Sequence, residues 1–171
     1  MIEKIEIWLN IFHYCIYKAD YKLHMLSNKI NPFILIGKIP AVKRKFEEQG
    51  TTHLDVANKV WTDKRFGFGI MASGGTLAGI VTFLLWGFTS TFFGYLNVYF
   101  LVKPIYVFAY AIFSFILCYC TVFKGDKYVK YFKKLDKRSR KEKWKYALFT
   151  LLFVIGSVAL WLYSFRFLSK L

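Results

Sequence analysis

An uncharged run of 37 residues, Phe66 to Val102, constrains the fold of this chain more than any other feature. The hydrocarbon core of a bilayer is about 30 Å thick, and a helix needs about 20 predominantly apolar residues to cross it. The run is long enough for one crossing and too short for two crossings with a turn between them. It therefore predicts an integral membrane protein.

Two more apolar segments follow, so the sequence predicts an all-α integral membrane protein with three transmembrane helices at about 66–88, 105–123 and 146–168. The composition agrees, because 56% of the residues are hydrophobic and the mean hydropathy is +0.35, more apolar than an ordinary soluble domain. We divide the chain into an N-terminal amphipathic helical region, 1–65, which is cytoplasmic or interfacial, and a transmembrane domain, 66–171.

The first thirty residues place apolar side chains at alternating intervals of three and four, which is the a/d pattern of four heptads. The pattern stops at Asn31-Pro32, where a helix is expected to end. The helix either docks along a partner helix, in this chain or another, or lies in the lipid interface. His13 and His24 lie outside the apolar positions, and we interpret both as solvated or interfacial. We define the N-terminal seam, the predicted partner or interface contact, as Ile2, Ile5, Leu9, Phe12, Ile16, Leu23 and Leu26.

Small residues are dense in the first half of the first predicted span. Small residues four apart let another helix backbone approach closely, and in a bilayer such packing replaces the hydrophobic effect as the source of helix association. The neighbour is either another span of this chain or a helix of another membrane protein. The predicted helix-packing residues form two such pairs, Gly74 with Ala78 and Gly75 with Gly79.

The basic residues are distributed unevenly. The chain carries 25 Lys and Arg and a net charge of +15; eleven of them precede the first span, eleven lie in the loop 124–145, and one lies in 89–104. Because cytoplasmic segments hold the excess of Lys and Arg, this distribution predicts a cytoplasmic N-terminus and a C-terminus outside, in a plasma membrane or a bacterial inner membrane. The charges flank apolar spans, so we expect no nucleic-acid partner.

The loop 124–145 combines eleven basic residues with three acidic ones. Tyr128, Phe132 and Leu135 recur in it at helical spacing, which predicts an amphipathic helix at the membrane surface. Anionic headgroups attract such a segment by about 1 kcal/mol for each basic residue near the surface. The basic residues are either simply the signal that orients the chain in the membrane or specific lipid contacts. The predicted anionic-lipid contacts are Lys127, Lys130, Lys133, Lys134, Lys137, Arg138, Arg140 and Lys141.

The sequence offers little catalytic chemistry. The interiors of the three predicted spans hold no Asp, Glu, His, Lys or Arg, the groups that ion-coupled transporters and proton relays need near the membrane midplane. Cys15, Cys118 and Cys120 match neither a zinc signature nor a disulfide framework. His53 and Asp55 are weak acid–base candidates. We therefore predict that the protein is not an enzyme, and assign no catalytic, cofactor-binding or metal-binding residue.

These observations favour a small multipass membrane protein that acts as a non-catalytic accessory, assembly or inhibitory subunit by docking on another membrane protein. In size, charge and topology the chain is similar to the small basic multipass immunity proteins that protect bacteria from pore-forming toxins. That resemblance implies an immunity-type role.

Two alternatives belong to other classes. A homo-oligomeric pore or membrane-disrupting effector would permeabilise the host membrane on expression, whereas an accessory subunit would not. A membrane-bound enzyme acting on lipid would lose activity when His53 or Asp55 is replaced by Ala, whereas an interaction protein would change little.

Overall fold

A computed structural model of the protein describes residues 2–28, 30, 32–96 and 104–168, with the backbone alone at 2, 32–34, 104 and 168. Most of the described residues are helical and none of them lies in a strand, which confirms the predicted fold class. A 3₁₀ helix covers Pro32–Lys38, a π-helix Tyr119–Phe123 and a second 3₁₀ turn Lys124–Asp126. The α-helices are α1 (Ile2–Ser27), α2 (Pro40–Glu47), α3 (His53–Thr62), α4 (Phe68–Tyr95), α5 (Pro104–Cys118), α6 (Lys127–Asp136) and α7 (Arg140–Leu168).

Three helical stretches are long and apolar enough to cross a membrane: Phe68–Tyr95, Ile105–Asp136 and Arg140–Phe167. Their ends differ from the predicted ones. Residues 89–95, which the sequence analysis left outside the first span, continue α4, because no proline or charge interrupts the backbone hydrogen bonding there. The aromatic segment 97–103 that follows lies outside the described residues.

The third long helix begins six residues before the predicted span because a capping box starts it. The Ser139 hydroxyl accepts a hydrogen bond from the Glu142 backbone N–H at 3.3 Å, and the Glu142 carboxylate accepts one from the Ser139 N–H at 3.1 Å. This reciprocal pair satisfies N–H groups that a helix N-terminus otherwise leaves without acceptors. The hydropathy of the sequence indicates the apolar part of α7 but does not indicate its polar first turn.

The described chain forms two compact units, and α1 and α4 each contribute to both. The bundle unit contains residues 1–16 and 74–171, and the N-terminal unit contains residues 17–73. In the N-terminal unit, the Trp61 ring of α3 stacks on His24 at 4.6 Å, and its Nε1–H donates to Asp20 at 3.1 Å. Its residue Ile30, the last position of the heptad pattern, lies in a turn after α1 has ended at Ser27.

Local signals set the connection between α2 and α3. Gly50 adopts a positive φ of 64° after α2, and the Thr51 N–H bonds to the Phe46 carbonyl at 3.0 Å, as in a Schellman motif. Thr52 then caps α3 by accepting a hydrogen bond from the Asp55 N–H at 3.1 Å. After α3, the Asp63 carboxylate accepts hydrogen bonds from the N–H groups of Phe66 and Arg65, which lower its pKa.

In the bundle unit, α4 and α7 run in the same direction. The Phe83 ring of α4 stacks on Trp161 at 4.6 Å, and further along both helices the Tyr95 and Tyr163 hydroxyls lie 2.9 Å apart. The segment after α5 reaches the opposite end of α4, because the Phe123 ring lies beside Gly74. The three long helical stretches therefore alternate in direction along the chain.

At Gly87 the backbones of α4 and α7 come close together. A Cβ at Gly87 would lie 2.7 Å from the Trp161 nitrogen and 2.9 Å from the Leu160 carbonyl carbon. Real Cβ atoms do not approach backbone atoms so closely, so only glycine allows this contact. The residue was not among the predicted packing positions.

Replacing Gly87 by Ala should therefore destabilise the bundle by about 1–3 kcal/mol, because α7 must move to admit the methyl group. The matched control is Gly75→Ala, since the described part of the chain places nothing within 4 Å of a Cβ there. We expect the control to be neutral or stabilising by up to about 1 kcal/mol, the helix propensity difference. Unfolding of both variants in detergent, followed by circular dichroism, checks this. Equal stability of the two would mean that α4 and α7 do not touch at Gly87.

Candidate protein and lipid contact surfaces

Asn10 connects the N-terminal part of α1 to the end of the second long helical stretch by a hydrogen bond. This side chain is fully buried, and its Nδ2 donates hydrogen bonds to the Thr121 carbonyl at 3.1 Å and to the Glu6 carbonyl at 2.8 Å. The last carbonyls of a helix have no donor within the helix. Asn10 supplies one such donor, so α1 caps the C-terminal end of that helix from the side.

His13 lies one turn further along the same face of α1 and is also fully buried. The rings of Phe123, Tyr128 and Phe132 surround it, with centroids 5.1, 5.8 and 5.2 Å away. The interpretation of His13 as solvated or interfacial is therefore wrong. It rested on the apolar seam, whereas the buried face of α1 carries Asn10, His13 and Tyr14.

Two polar contacts join α1 to α6. The Tyr14 hydroxyl donates to the Asp136 carboxylate at 2.8 Å, and Lys127 forms an ion pair with Glu6 at 2.6 Å. Burial and the neighbouring Asp136 carboxylate raise the pKa of Tyr14 well above 10. The ammonium group of Lys127, one of the predicted lipid contacts, is thus paired with the Glu6 carboxylate of the same chain.

The N-terminal seam divides into covered and exposed parts. Leu9 is buried within the bundle unit, and Phe12 stacks on Phe153 of α7 at 4.3 Å. Ile16 is half-buried, and the side chain of Ile2 lies outside what the structure describes. The exposed members of the seam are Ile5, Leu23 and Leu26.

The predicted packing residues of α4 also divide, because the two pairs lie on different faces. Gly74 and Ala78 are buried, and a Cβ at Gly74 would meet the Phe123 ring at 2.5 Å. At Gly75 and Gly79, by contrast, nothing outside the adjacent backbone of α4 lies within 4 Å of a built Cβ; Gly75 is exposed and Gly79 is half-buried. We call the latter pair the open face of α4.

Two further packing glycines were missed in the sequence analysis. Gly87 touches the backbone of α7, and a Cβ at Gly94 would meet the Phe167 ring. The seven-residue interval between Gly87 and Gly94 places both on one face of a helix, and this signal is present in the sequence.

The amphipathic helix predicted in the basic loop is confirmed as α6. Its apolar residues Tyr128, Phe132 and Leu135 are buried, but they face α1 of the same chain. The basic residues of α6 and of the segment that leads into α7 are exposed: Lys130, Lys133, Lys134, Lys137, Arg138, Arg140 and Lys141. Arg138 pairs with Glu142 at 3.0 Å.

His53 and Asp55 take part in local packing and helix capping in the N-terminal unit. The Asp55 carboxylate accepts a hydrogen bond from the Thr52 hydroxyl at 2.6 Å, within the cap of α3. The His53 ring packs edge-on against Phe46 at 5.4 Å, at the side of a cleft of about 320 Å³ that also exposes Lys38 and Lys43. Among the described residues, no three His, Cys, Asp or Glu side chains lie close enough together to hold a metal ion.

Comparison of the chain with protein-family models, with curated proteins and with solved structures found no match.

The contact between Tyr14 and Asp136 makes a testable contribution to stability. Tyr14→Phe removes a hydrogen bond to a charged group, so we expect a loss of about 1.5–3 kcal/mol at neutral pH. Because the folded-state pKa of Tyr14 is raised above its ordinary value of 10.0, this contribution is complete below pH 10 and declines as the pH rises further. Thermal unfolding of both proteins between pH 7 and 11 measures it.

The control for this measurement is Tyr21→Phe, at an exposed position of the same helix. It should unfold like the wild type at every pH. A constant difference between wild type and Tyr14→Phe up to pH 11 would contradict the raised pKa, and no difference at neutral pH would contradict the hydrogen bond.

Proposed function

We propose that this protein is a non-catalytic membrane subunit, with an accessory, assembly or immunity-type inhibitory role, that docks on a transmembrane helix of another membrane protein. The observation that carries the proposal is the open face of α4. Gly75 and Gly79 lie one turn apart in a helix long and apolar enough to cross a membrane, and the described chain packs nothing against them.

The internal packing of the bundle supports this assignment. Gly74, Gly87 and Gly94 each admit a neighbouring group of the same chain. Gly75 and Gly79 accommodate no neighbouring group of the described chain, although glycine inside a helix costs roughly 1 kcal/mol relative to alanine. A second helix at these positions would approach the backbone of α4 closely, which is the geometry that stabilises helix pairs in a bilayer.

The exposed part of the N-terminal seam offers a second surface. Leu23 and Leu26 are more than half exposed, at 65% and 56%. Apolar side chains so exposed suit a contact with lipid or with the same partner. The proposal assigns the primary contact to the open face of α4, because lipid alone does not require glycine there.

Lengthening the side chains on the open face should abolish docking and leave the fold intact. The double variant Gly75→Leu, Gly79→Leu places two bulky groups where a partner backbone would lie, so a stoichiometric partner present after gentle purification should be lost. The control is Gly156→Leu on α7, which is likewise exposed with no described atom within 4 Å of its Cβ. It should retain the partner.

Three outcomes would contradict this proposal. Full retention of the partner by the double variant would exclude the open face as the contact. Equal loss of the partner by both variants would indicate a general response to added bulk. A purified assembly of identical copies that makes liposomes leak would favour the pore alternative.

For the membrane placement, we propose a cytoplasmic N-terminus and an outside C-terminus in a plasma membrane or bacterial inner membrane. The distribution of basic residues supports it. The contacts of α1 with α6 also support it, because an odd number of crossings puts the C-terminus opposite the side that these two helices share.

A reporter fused after Leu171 tests the placement. A phosphatase that matures only outside the cytoplasm should be active there, and a fluorescent protein that requires the cytoplasm should be dark. The same reporters inserted after Ser139, between α6 and α7, serve as the control and should give the opposite result. Identical results at both sites would contradict three crossings.

A further inference from the structure

A small cleft lies in the bundle unit between α1, α6 and the beginning of α7. Its volume is about 150 Å³, and Ile7 and Ile11 of α1 line one side of it. The other sides are formed by Leu135 at the end of α6, by Tyr146 of α7, and by the polar residues Tyr131, Lys134 and Arg138.

The lining is amphiphilic. Ile11 and Leu135 are buried, with 6% and 5% of their surface exposed, and form an apolar floor. Lys134 and Arg138 are exposed and place two cations at the rim. Arg138 also contacts Glu142 at 3.0 Å through Nη1, but a guanidinium has five N–H donors, so that ion pair leaves others available.

The cleft is placed where the headgroups of a bilayer would lie. Tyr146 is the first residue of the apolar part of α7, and tyrosine is typical of the membrane–water interface. The proposed topology puts this end of α7 on the cytoplasmic side, where anionic lipids are concentrated. A volume of about 150 Å³ is below the usual range for a site that encloses a whole small molecule, but it suits the end of a longer ligand.

We infer that the cleft binds an anionic phospholipid of the cytoplasmic leaflet. Its headgroup phosphate lies between Lys134 and Arg138, and the adjoining glycerol and upper acyl chain cover Ile7 and Ile11. The phosphate oxygens accept charge-assisted hydrogen bonds from the ammonium and guanidinium groups. The apolar floor distinguishes a lipid from a soluble phosphate, which would gain nothing from Ile7, Ile11 and Leu135.

This inference differs from the general attraction of the basic loop to an anionic surface. General attraction depends on the number of charges, whereas a site depends on which charges are removed. It rests on the proposed membrane placement and is independent of the proposed protein partner, so either can fail alone.

The experiment compares two doubly substituted proteins of equal net charge. Lys134→Gln, Arg138→Gln removes the two cations of the cleft, and Lys130→Gln, Lys133→Gln removes two exposed cations of α6 that do not line it. Each full-length protein is purified in mild detergent and titrated with phosphatidylglycerol, with phosphatidylcholine as the neutral reference. Native mass spectrometry counts the bound lipids, and the rise in unfolding temperature reports the stabilisation that a ligand of the folded state confers.

We expect the cleft variant to bind phosphatidylglycerol roughly 100-fold more weakly than the wild type, from about tenfold for each charge-assisted hydrogen bond to the phosphate that is lost. The control variant should bind phosphatidylglycerol within about threefold of the wild type. Phosphatidylcholine should bind the wild type and both variants equally. Circular dichroism of both variants without lipid should match the wild type, since all four positions are exposed.

Equal weakening of the two variants would overturn the inference in favour of general surface attraction. Unchanged binding by the cleft variant would overturn it as well. Displacement of the lipid by millimolar glycerol phosphate would assign the cleft to a soluble phosphate ester and exclude the role given to its apolar floor. If the cleft variant fails to fold, Lys134→Arg, Arg138→Lys, which keeps the charge, must preserve binding for the inference to stand.

Discussion

The hydrogen bond from Asn10 to the Thr121 carbonyl joins the parts of this structure that sequence order keeps apart. The last carbonyl oxygens of a helix have no donor within the helix, and each needs one from elsewhere. Asn10 provides one from α1, and this fixes α1 beside the turn that leads into α6. The aromatic enclosure of His13 and the pairs of Tyr14 with Asp136 and Glu6 with Lys127 all follow from that placement.

The contacts around Asn10 show that the sequence predicts α1 as a helix but identifies only part of its buried face. The Ile/Leu seam is an apolar stripe, and in water such a stripe would be the inner face. The buried face of α1 in the bundle unit mixes both kinds of side chain, because Asn10, His13 and Tyr14 turn inward together with Leu9 and Ile11, while Ile5 remains 42% exposed. An apolar periodicity does not show which polar side chains share the buried face.

The long helices were predictable because the thickness of the bilayer limits how short an apolar run can be. Their ends were less predictable, because Ser139 and Glu142 extend α7 through hydrogen bonds that hydropathy does not register. The orientation of the small residues was not predictable either. Gly74 and Gly75 are neighbours in sequence and differ by about 100° around the helix, so one faces Phe123 and the other faces outward. Only the positions of α7 and of the segment after α5 decide which glycine is used internally.

The basic residues of the loop 124–145 differ in their surroundings. Lys127 is neutralised by Glu6 and holds α1, whereas Lys130 and Lys133 face outward from α6. Because Tyr128, Phe132 and Leu135 are buried against the same chain, α6 presents its cations outward and not its apolar face. An interfacial helix usually binds lipid through both faces together. In the lipid site that we propose, α1 supplies the apolar contribution, since Ile7 and Ile11 line the same cleft as Lys134 and Arg138.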